Sequence, residues 1–171
     1  MGKLQDYMQG IESGVGQVSR RMPALPLQEV MLVRLLHLAA EGLTAHFLHV
    51  LKPQGLNESD FRVLMQLYSS PGGSAYPSEL CAFVVQTPTN MTRIADVLVK
   101  RRLVTRTPGE QDRRRIELRI TPAGRRFAGK LLPKLFPILR SSFSDLSERD
   151  KQALQKLLER VIVSMDTRTD L

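Results

Sequence analysis

Two short helices joined by a tight turn, with a hairpin directly after them, restrict the fold of this chain more than any other feature. The segment Pro77-Ser78-Glu79-Leu80 predicts a short helix that runs to about Val84. Thr87-Pro88 predicts a second helix over Pro88–Arg101, because Thr is a good N-cap and Pro is favoured at the first helical position. Two such helices around a turn at Val85-Gln86 are typical of a helix-turn-helix motif.

A hairpin with a basic tip follows the second helix. Leu103–Thr107 has the composition of a strand, and Ile116–Ile120 alternates apolar and polar residues with a period of two. The residues between these strands include Arg113, Arg114 and Arg115. A two-stranded hairpin in this place predicts a wing whose arginines suit a narrow minor groove of strong negative potential.

Positive charge is concentrated in the same region. The whole chain has 25 Lys and Arg against 17 Asp and Glu, a net charge of +8. Between Thr87 and Arg126 there are eleven basic and four acidic residues, a net of +7, so the other 131 residues carry only +1. If these charges served only to solvate the protein, they would be distributed over its whole surface. The clustering therefore favours double-stranded DNA as the partner. Adhesion to an anionic membrane surface is the alternative.

The remaining sequence is read as helices around this lobe, which makes the chain mainly α with a small β wing. A helix of about 24 residues is predicted between Pro26 and Leu51, and a last helix begins at Ser147-Glu148-Arg149-Asp150. Their apolar stripes exceed what one small lobe covers, so we expect an isologous homodimer on a pseudo-palindromic operator. The expected organisation is a mobile N-terminal arm (1–25), a dimerisation helix (26–56), the winged helix-turn-helix lobe (57–121) and C-terminal dimerisation helices (122–171).

Several other classes of protein are not supported. The sequence has no Gly-rich phosphate loop, nucleophile elbow or paired catalytic carboxylates, so we expect neither an enzyme nor a cofactor. His46 and His49 with Glu41 are read as helix residues and not as a metal site, and Cys81 is read as a buried core residue. We find no signal peptide and no run of 18 apolar residues, and a cytoplasmic location is expected.

The predicted second helix presents polar side chains opposite its apolar face. Hydroxyl groups there suit phosphates or thymine edges, Asn90 suits adenine, and Arg93 suits either guanine or phosphate. Other cations beside the helix are read as backbone contacts that position the protein without specifying sequence. The expected DNA-binding residues are Thr87, Thr89, Asn90, Thr92, Arg93, Lys100, Arg106, Arg113, Arg114 and Arg115, with Arg101 and Arg102 as further backbone contacts.

These segments together resemble the MarR family of winged-helix transcriptional regulators. The resemblance rests on Ser78-Glu79-Leu80, Thr87–Arg93, Leu103–Arg106, Asp112-Arg113-Arg114 and Leu118–Gly124, and it extends over roughly residues 26–166. The segments Leu51–Glu58 and Asn90–Asp96 are similar to the EmrR (MprA) branch. One departure is Arg102, which stands where the family usually has a Gly that accepts a left-handed helix end.

The resemblance implies a ligand-responsive regulator, expected to be a repressor of a multidrug efflux operon that small lipophilic or aromatic weak acids release from DNA. The alternative is a MarR-type regulator of aromatic-acid catabolism or virulence genes. It also implies that Asp112 and Arg114 fix the wing, which leaves Arg113 or Arg115 as the residue that enters the minor groove. An organic anion or phenol would bind between the dimer helices and the DNA-binding lobe, where the candidate residues are Arg34, His37, His46, Phe61, Met65 and Tyr68.

Overall fold

A computed structural model of the chain describes residues 3–109 and 114–167. The chain divides into two compact units, Met1–Leu132 and Pro133–Leu171. The helices are α1 (Lys3–Arg21), α2 (Leu27–Leu51), α3 (Glu58–Ser69), α4 (Pro77–Val84), α5 (Pro88–Lys100), α6 (Pro122–Ser142) and α7 (Glu148–Asp166), and the strands are β1 (Ser74–Ala75), β2 (Val104–Pro108) and β3 (Ile116–Ile120). The prediction of a mainly helical winged helix-turn-helix fold is confirmed.

The core of the first unit lies between α3, α4, α5 and the sheet. Each of these helices contributes side chains with no exposed surface, among them Leu64 on α3, Leu80 on α4 and Ile94 and Leu98 on α5. Leu118 on β3 closes the core from the sheet side. Because one face of α5 is buried in this way, its opposite face is left for solvent or a ligand.

The sheet has three antiparallel strands in the order β1-β3-β2. The predicted hairpin is present, with Val104 opposite Ile120 and Pro108 opposite Ile116. The third strand differs from the two-stranded hairpin expected from sequence, since Ser74 and Ala75 pair with Arg119 and Leu118. A strand of two residues is too short to show alternation, so no sequence pattern indicated it.

Residues 3–21, expected to belong to a mobile arm, form the 19-residue helix α1. The helix packs on α2, where Leu4 lies against Gly42 and a Cβ at Gly42 would be 3.1 Å from Leu4 Cδ1. Val15 is buried on the same side. The three glycines and many polar residues of this segment obscured the length of the helix, because only a few apolar positions mark its packed face.

The helix α2 has the predicted position and length, with 25 residues. The helical stretch Leu27–Gln54 is long and apolar enough to cross a membrane by length and composition. Little of its most apolar part is buried within the chain. One helix of this kind is weak evidence for a membrane span, because core helices of soluble proteins pass the same test. Leu32, Val33 and Leu36 are among its exposed apolar residues.

The second unit contains α7, which begins at a capping box. Ser147 Oγ accepts a hydrogen bond from the Asp150 backbone N–H at 3.2 Å, and Asp150 Oδ2 accepts one from the Ser147 backbone N–H at 3.1 Å. The predicted apolar stripe of this helix is largely exposed, and it includes Leu157, Val161, Ile162 and Met165.

Candidate DNA-binding interface

The N-terminal end of α5 is fixed by the cap that the sequence predicted. Thr87 Oγ1 accepts a hydrogen bond from the Asn90 backbone N–H at 3.3 Å, and Pro88 occupies the first helical position. The preceding turn has Val85 in the left-handed region, with φ +51°. A left-handed residue lets the chain reverse tightly between α4 and α5, so the turn sets the direction in which α5 leaves the lobe.

The outward face of α5 carries the predicted polar residues. Thr89, Thr92 and Arg93 are exposed, and Asn90 is half-buried. The Thr92 hydroxyl donates to the Pro88 carbonyl at 3.1 Å. The Thr87 hydroxyl therefore caps the helix, and the Thr92 hydroxyl is bonded to the preceding turn of the same helix. Thr89 is the exposed threonine of this face for which no such bond is seen in the described part of the chain.

Four polar side chains form a connected group across α3, the turn and α5. Asn90 Nδ2 donates to Gln86 Oε1, and Arg93 Nε donates to Asn90 Oδ1 at 2.9 Å. Arg93 Nη2 also lies 3.5 Å from Asp60 Oδ1 on α3. Arg93, the candidate reader of guanine, is therefore held by two neighbours while its side chain remains 48% exposed.

The other cations near α5 fall into two groups. Arg106 on β2 is paired with Asp96 on α5 at 2.6 Å. Arg101 donates from Nη1 to the Gly55 carbonyl at 3.1 Å, and its guanidinium lies 5.1 Å from the centre of the Phe127 ring. These two arginines connect elements of the lobe. Lys100 and Arg102, in contrast, are exposed at the C-terminal end of α5.

Arg102 is the second non-glycine residue with a left-handed backbone, at φ +59°. The sequence predicted such a conformation here, where the family usually has glycine. The backbone N–H of Arg102 donates to the Val99 carbonyl at 2.8 Å and ends the helix. The left-handed backbone is strained because Arg102 has a Cβ, and the same residue places a cation at the end of α5.

At the wing, Arg115 is attached to the start of α4. Its Nη2 donates to Ser78 Oγ at 3.3 Å, and its guanidinium lies 4.1 Å from the centre of the Tyr76 ring. This cation–π contact holds the hairpin, at the residue before β3, against the helix-turn-helix motif. Arg114 is exposed, whereas Asp112 and Arg113 lie outside the described residues.

The six candidate effector residues occupy several places in the first unit. Arg34 and His37 line a groove of about 500 Å³ between α1 and α2, together with Tyr7 and Glu41. Phe61 and Met65 pack against the core of the lobe. Since Arg34 and His46 are twelve residues apart on α2, about 18 Å separates them along the helix axis. Tyr68 is 37% exposed on α3.

Two further sequence interpretations concern metal binding and the burial of Cys81. No group of three or more His, Cys, Asp or Glu side chains in residues 3–109 and 114–167 is arranged to hold a metal ion. Cys81 is half-buried and packs against the core, so it is less enclosed than the sequence suggested.

Sequence reasoning missed the residues that hold the candidate DNA contacts in place. Among them, Gln86 appeared only as a turn residue, and Asp60 was not considered as a partner of Arg93. Tyr76 carried no motif, and Ser78 and Asp96 entered only as parts of longer segments. Asp60, Tyr76, Ser78 and Asp96 each contact an arginine that is distant in sequence, and Gln86 acts through Asn90, so the available signal was the excess of arginines that need partners.

Comparisons with known proteins agree on one family. The model of the MarR family matches residues 54–115. The transcriptional repressor MprA of Escherichia coli K12 is 35% identical over 141 residues, which cover 82% of this chain and 80% of that protein. Because this likeness extends beyond the lobe to most of the chain, it includes the flanking helices.

Solved structures show the same fold. Sco3205, a MarR family transcriptional regulator from Streptomyces coelicolor in complex with DNA, has a TM-score of 0.74 at 21% identity, over 84% of this chain and 90% of that one. BpsR of Bordetella bronchiseptica, whose DNA binding is regulated by 6-hydroxynicotinic acid, has a TM-score of 0.67 at 23% identity, over 74% of this chain and 89% of that one.

Proposed function

The chain belongs to the MarR family of transcriptional regulators, and on that premise we propose that it is a ligand-responsive repressor that binds a pseudo-palindromic operator as a homodimer. The observation that carries this proposal is the outward face of α5 beside a basic wing, in a region with a net charge of +7. A major groove admits a helix of this kind, and phosphates attract the surrounding cations. A protein of this type works in the cytoplasm.

Within this interface, Arg93 is our candidate for reading a guanine edge, and Thr89 is the candidate for a thymine methyl group or a phosphate. Lys100 and Arg102 are exposed at the end of α5 and would contact the sugar-phosphate backbone. Arg106 forms an ion pair with Asp96 and would contribute mainly to the positive electrostatic potential around α5. Arg113 is the candidate for the minor groove, because the resemblance leaves Arg113 or Arg115 for that role and Arg115 contacts Tyr76 and Ser78.

The homodimer is supported by apolar surface in each unit. In the first unit, α2 exposes Leu32, Val33 and Leu36. In the second unit, α7 exposes Leu157, Val161 and Ile162. Exposed apolar surface of this extent is typical of an association surface. Two copies related by a two-fold axis would present two α5 helices to successive turns of DNA.

The proposed effector is a small lipophilic or aromatic weak acid. The name of MprA supports repression, and the regulation of BpsR by 6-hydroxynicotinic acid supports an aromatic acid as the ligand class. We propose a multidrug efflux operon as the target, because the likeness to MprA extends over most of the chain. A regulator of aromatic-acid catabolism or virulence genes is the second candidate, which the BpsR ligand favours.

Footprinting on the promoter of the protein's own gene tests this proposal. The expected result is a two-fold symmetric protected region that disappears when salicylate or an uncoupler is added at concentrations that leave the protein folded. A binding isotherm for each acid, measured by calorimetry, distinguishes specific release from denaturation. A symmetric footprint that no weak acid removes would contradict the effector part of the proposal, and a neighbouring efflux or ring-degrading gene would decide between the two targets.

A further inference from the structure

The connected side chains of Asp60, Gln86, Asn90 and Arg93 suggest how sequence preference is set. Asp60 is on α3, Gln86 is in the turn, and Asn90 and Arg93 are on consecutive turns of α5. Arg93 is the one cation of the four, and its side chain is 48% exposed. The others lie between it and the body of the lobe, so they are placed to act through it.

Asp60 is a buried carboxylate that needs a cation. Its side chain is 4% exposed, and Oδ2 accepts a hydrogen bond from the Asn57 backbone N–H at 3.2 Å. Oδ1 is also buried and has no hydrogen-bond donor among the described residues, while Arg93 Nη2 lies 3.5 Å from it. Because an isolated buried carboxylate is unfavourable, Asp60 attracts the guanidinium and restricts where it lies.

The second constraint on Arg93 comes from Asn90. A guanidinium has five N–H groups. Its Nε–H is used by Asn90 Oδ1, and one side of Nη2 faces Asp60. The two N–H groups of Nη1 and the rest of Nη2 remain for a base. Guanine accepts two hydrogen bonds from one arginine, so fixing the guanidinium plane fixes which base edge it fits.

The same contacts change the role expected for Asn90. A direct reading of adenine uses both the oxygen and the nitrogen of the amide. Here the oxygen accepts from Arg93 Nε, and the nitrogen donates to Gln86 Oε1. Each bond uses one of the two lone pairs on the oxygen or one of the two N–H groups on the nitrogen, and together they fix the amide between Gln86 and Arg93. We therefore expect Asn90 to hold Arg93 in place of making the adenine contact considered from sequence.

We propose that Asp60 and Asn90 are positioning residues that determine base preference through Arg93, without contacting a base themselves. This inference rests on the proposed function, since it requires α5 to bind DNA. It adds a specificity determinant on α3, outside the helix-turn-helix contacts. Removal of either residue would free the guanidinium to rotate and would relax the choice of base at the position that Arg93 contacts.

The test is selection of bound sequences from a random duplex library by the full-length protein. Wild type is compared with Arg93→Ala, Asp60→Asn, Asn90→Ala and the double variant Asp60→Asn/Arg93→Ala. Arg93→Ala is expected to reduce preference at one symmetric pair of base positions by about 10-fold or more. Asp60→Asn and Asn90→Ala should relax the same pair by about 3-fold or more, and Asp60→Asn should add no loss of preference once Arg93 is absent.

A matched control separates positioning from capping. Asp150 on α7 is the same type of N-terminal capping carboxylate, bonded to the Ser147 backbone N–H at 3.1 Å. Asp150→Asn removes the charge of the same kind of capping bond and should lower stability by less than Asp60→Asn, because Asp150 is exposed, while leaving base preference unchanged. If Asp60→Asn does not fold, Asn90→Ala still tests the proposal, because Asn90 is outside the core.

Three results would overturn the inference. Unchanged preference in Asp60→Asn would exclude a role through Arg93, and so would an equal further loss in the Arg93→Ala background. Loss at a different base pair in Asn90→Ala would show that Asn90 reads a base directly. If wild type selects no sequence, the proposed function itself fails, which is distinguishable because the other failures need a wild-type preference.

Discussion

At the scale of single residues, Gly124 lies closely against the backbone of a neighbouring segment. A Cβ at this position would lie 2.1 Å from the Leu103 carbonyl oxygen and 2.8 Å from Ile120 Cγ1. The close approach exists because Thr121 Oγ1 donates to the Arg102 carbonyl at 2.8 Å and accepts from the Gly124 backbone N–H at 2.9 Å. The first turn of α6 is thereby held against the start of β2, which supports the wing.

Gly124→Ala is expected to lower the free energy of unfolding by about 1–3 kcal/mol, because the backbone of β2 must move to admit the methyl group. Chemical denaturation measures this change. Gly129→Ala in the same helix is the matched control, since a Cβ there meets nothing within 4 Å. It should stabilise the protein by about 0.5–1 kcal/mol, and equal effects at both glycines would contradict the packing described here.

Arg102 offers a second test at this scale. Arg102→Gly should raise the free energy of unfolding by about 1 kcal/mol, because glycine adopts the left-handed backbone without a Cβ penalty. Arg102→Ala is the control, since it removes the guanidinium and keeps the strain at φ +59°. If glycine is no more stable than alanine at this position in thermal unfolding, the backbone explanation is wrong. Both variants should bind DNA more weakly if Arg102 contacts phosphate.

At the scale of elements, the wing and the helix-turn-helix motif are joined by a side-chain contact as well as by the sheet. Arg115 stacks on Tyr76 and donates to Ser78, while β1 pairs with β3. The hairpin is therefore attached to the start of α4 on two sides.

Tyr76→Leu is expected to increase hydrogen exchange of the β2 and β3 amides, because loss of the ring removes a contact of about 0.5–1 kcal/mol. Tyr76→Phe is the control, since it keeps the ring. The amides of α7 should be unchanged in both variants. Equal exchange in the Leu variant and wild type would show that the sheet alone holds the wing.

The elements differ in how well the sequence predicted them. Strong local signals predicted α2, α5 and the hairpin, because long apolar periodicity, Thr87-Pro88 and strict alternation act within a few residues. The helix α1 and the strand β1 depend on contacts with distant segments, and their own residues carry little pattern. The effector candidates were proposed by resemblance, and the structure separates Arg34 and His37 from Phe61 and Met65.

At the scale of the whole molecule, the proposal requires two copies. Val161 lies within the exposed apolar stripe of α7. Gln152 is nine residues earlier and lies on the opposite side of the same helix, since nine residues are about 2.5 turns. The two positions allow the same charge to be introduced on either face.

Val161→Lys should weaken self-association by about 10-fold or more, because a lysine ammonium would have to be buried in an apolar contact. Gln152→Lys should leave it unchanged. Sedimentation equilibrium measures both. If Val161→Lys remains as strongly associated as wild type, α7 does not form the dimer contact, and the apolar surface of α2 alone must account for a dimer.

The central claim is that α5 and the wing form a sequence-specific DNA interface. The direct measurement is the dissociation constant for the promoter of the protein's own gene against a scrambled duplex of equal length, over a range of salt concentrations. We expect the promoter to bind at least about 10³-fold more tightly at physiological salt, and both affinities to fall as salt rises. Equal affinities for the two duplexes at every salt concentration would contradict the account and would leave only a cationic surface.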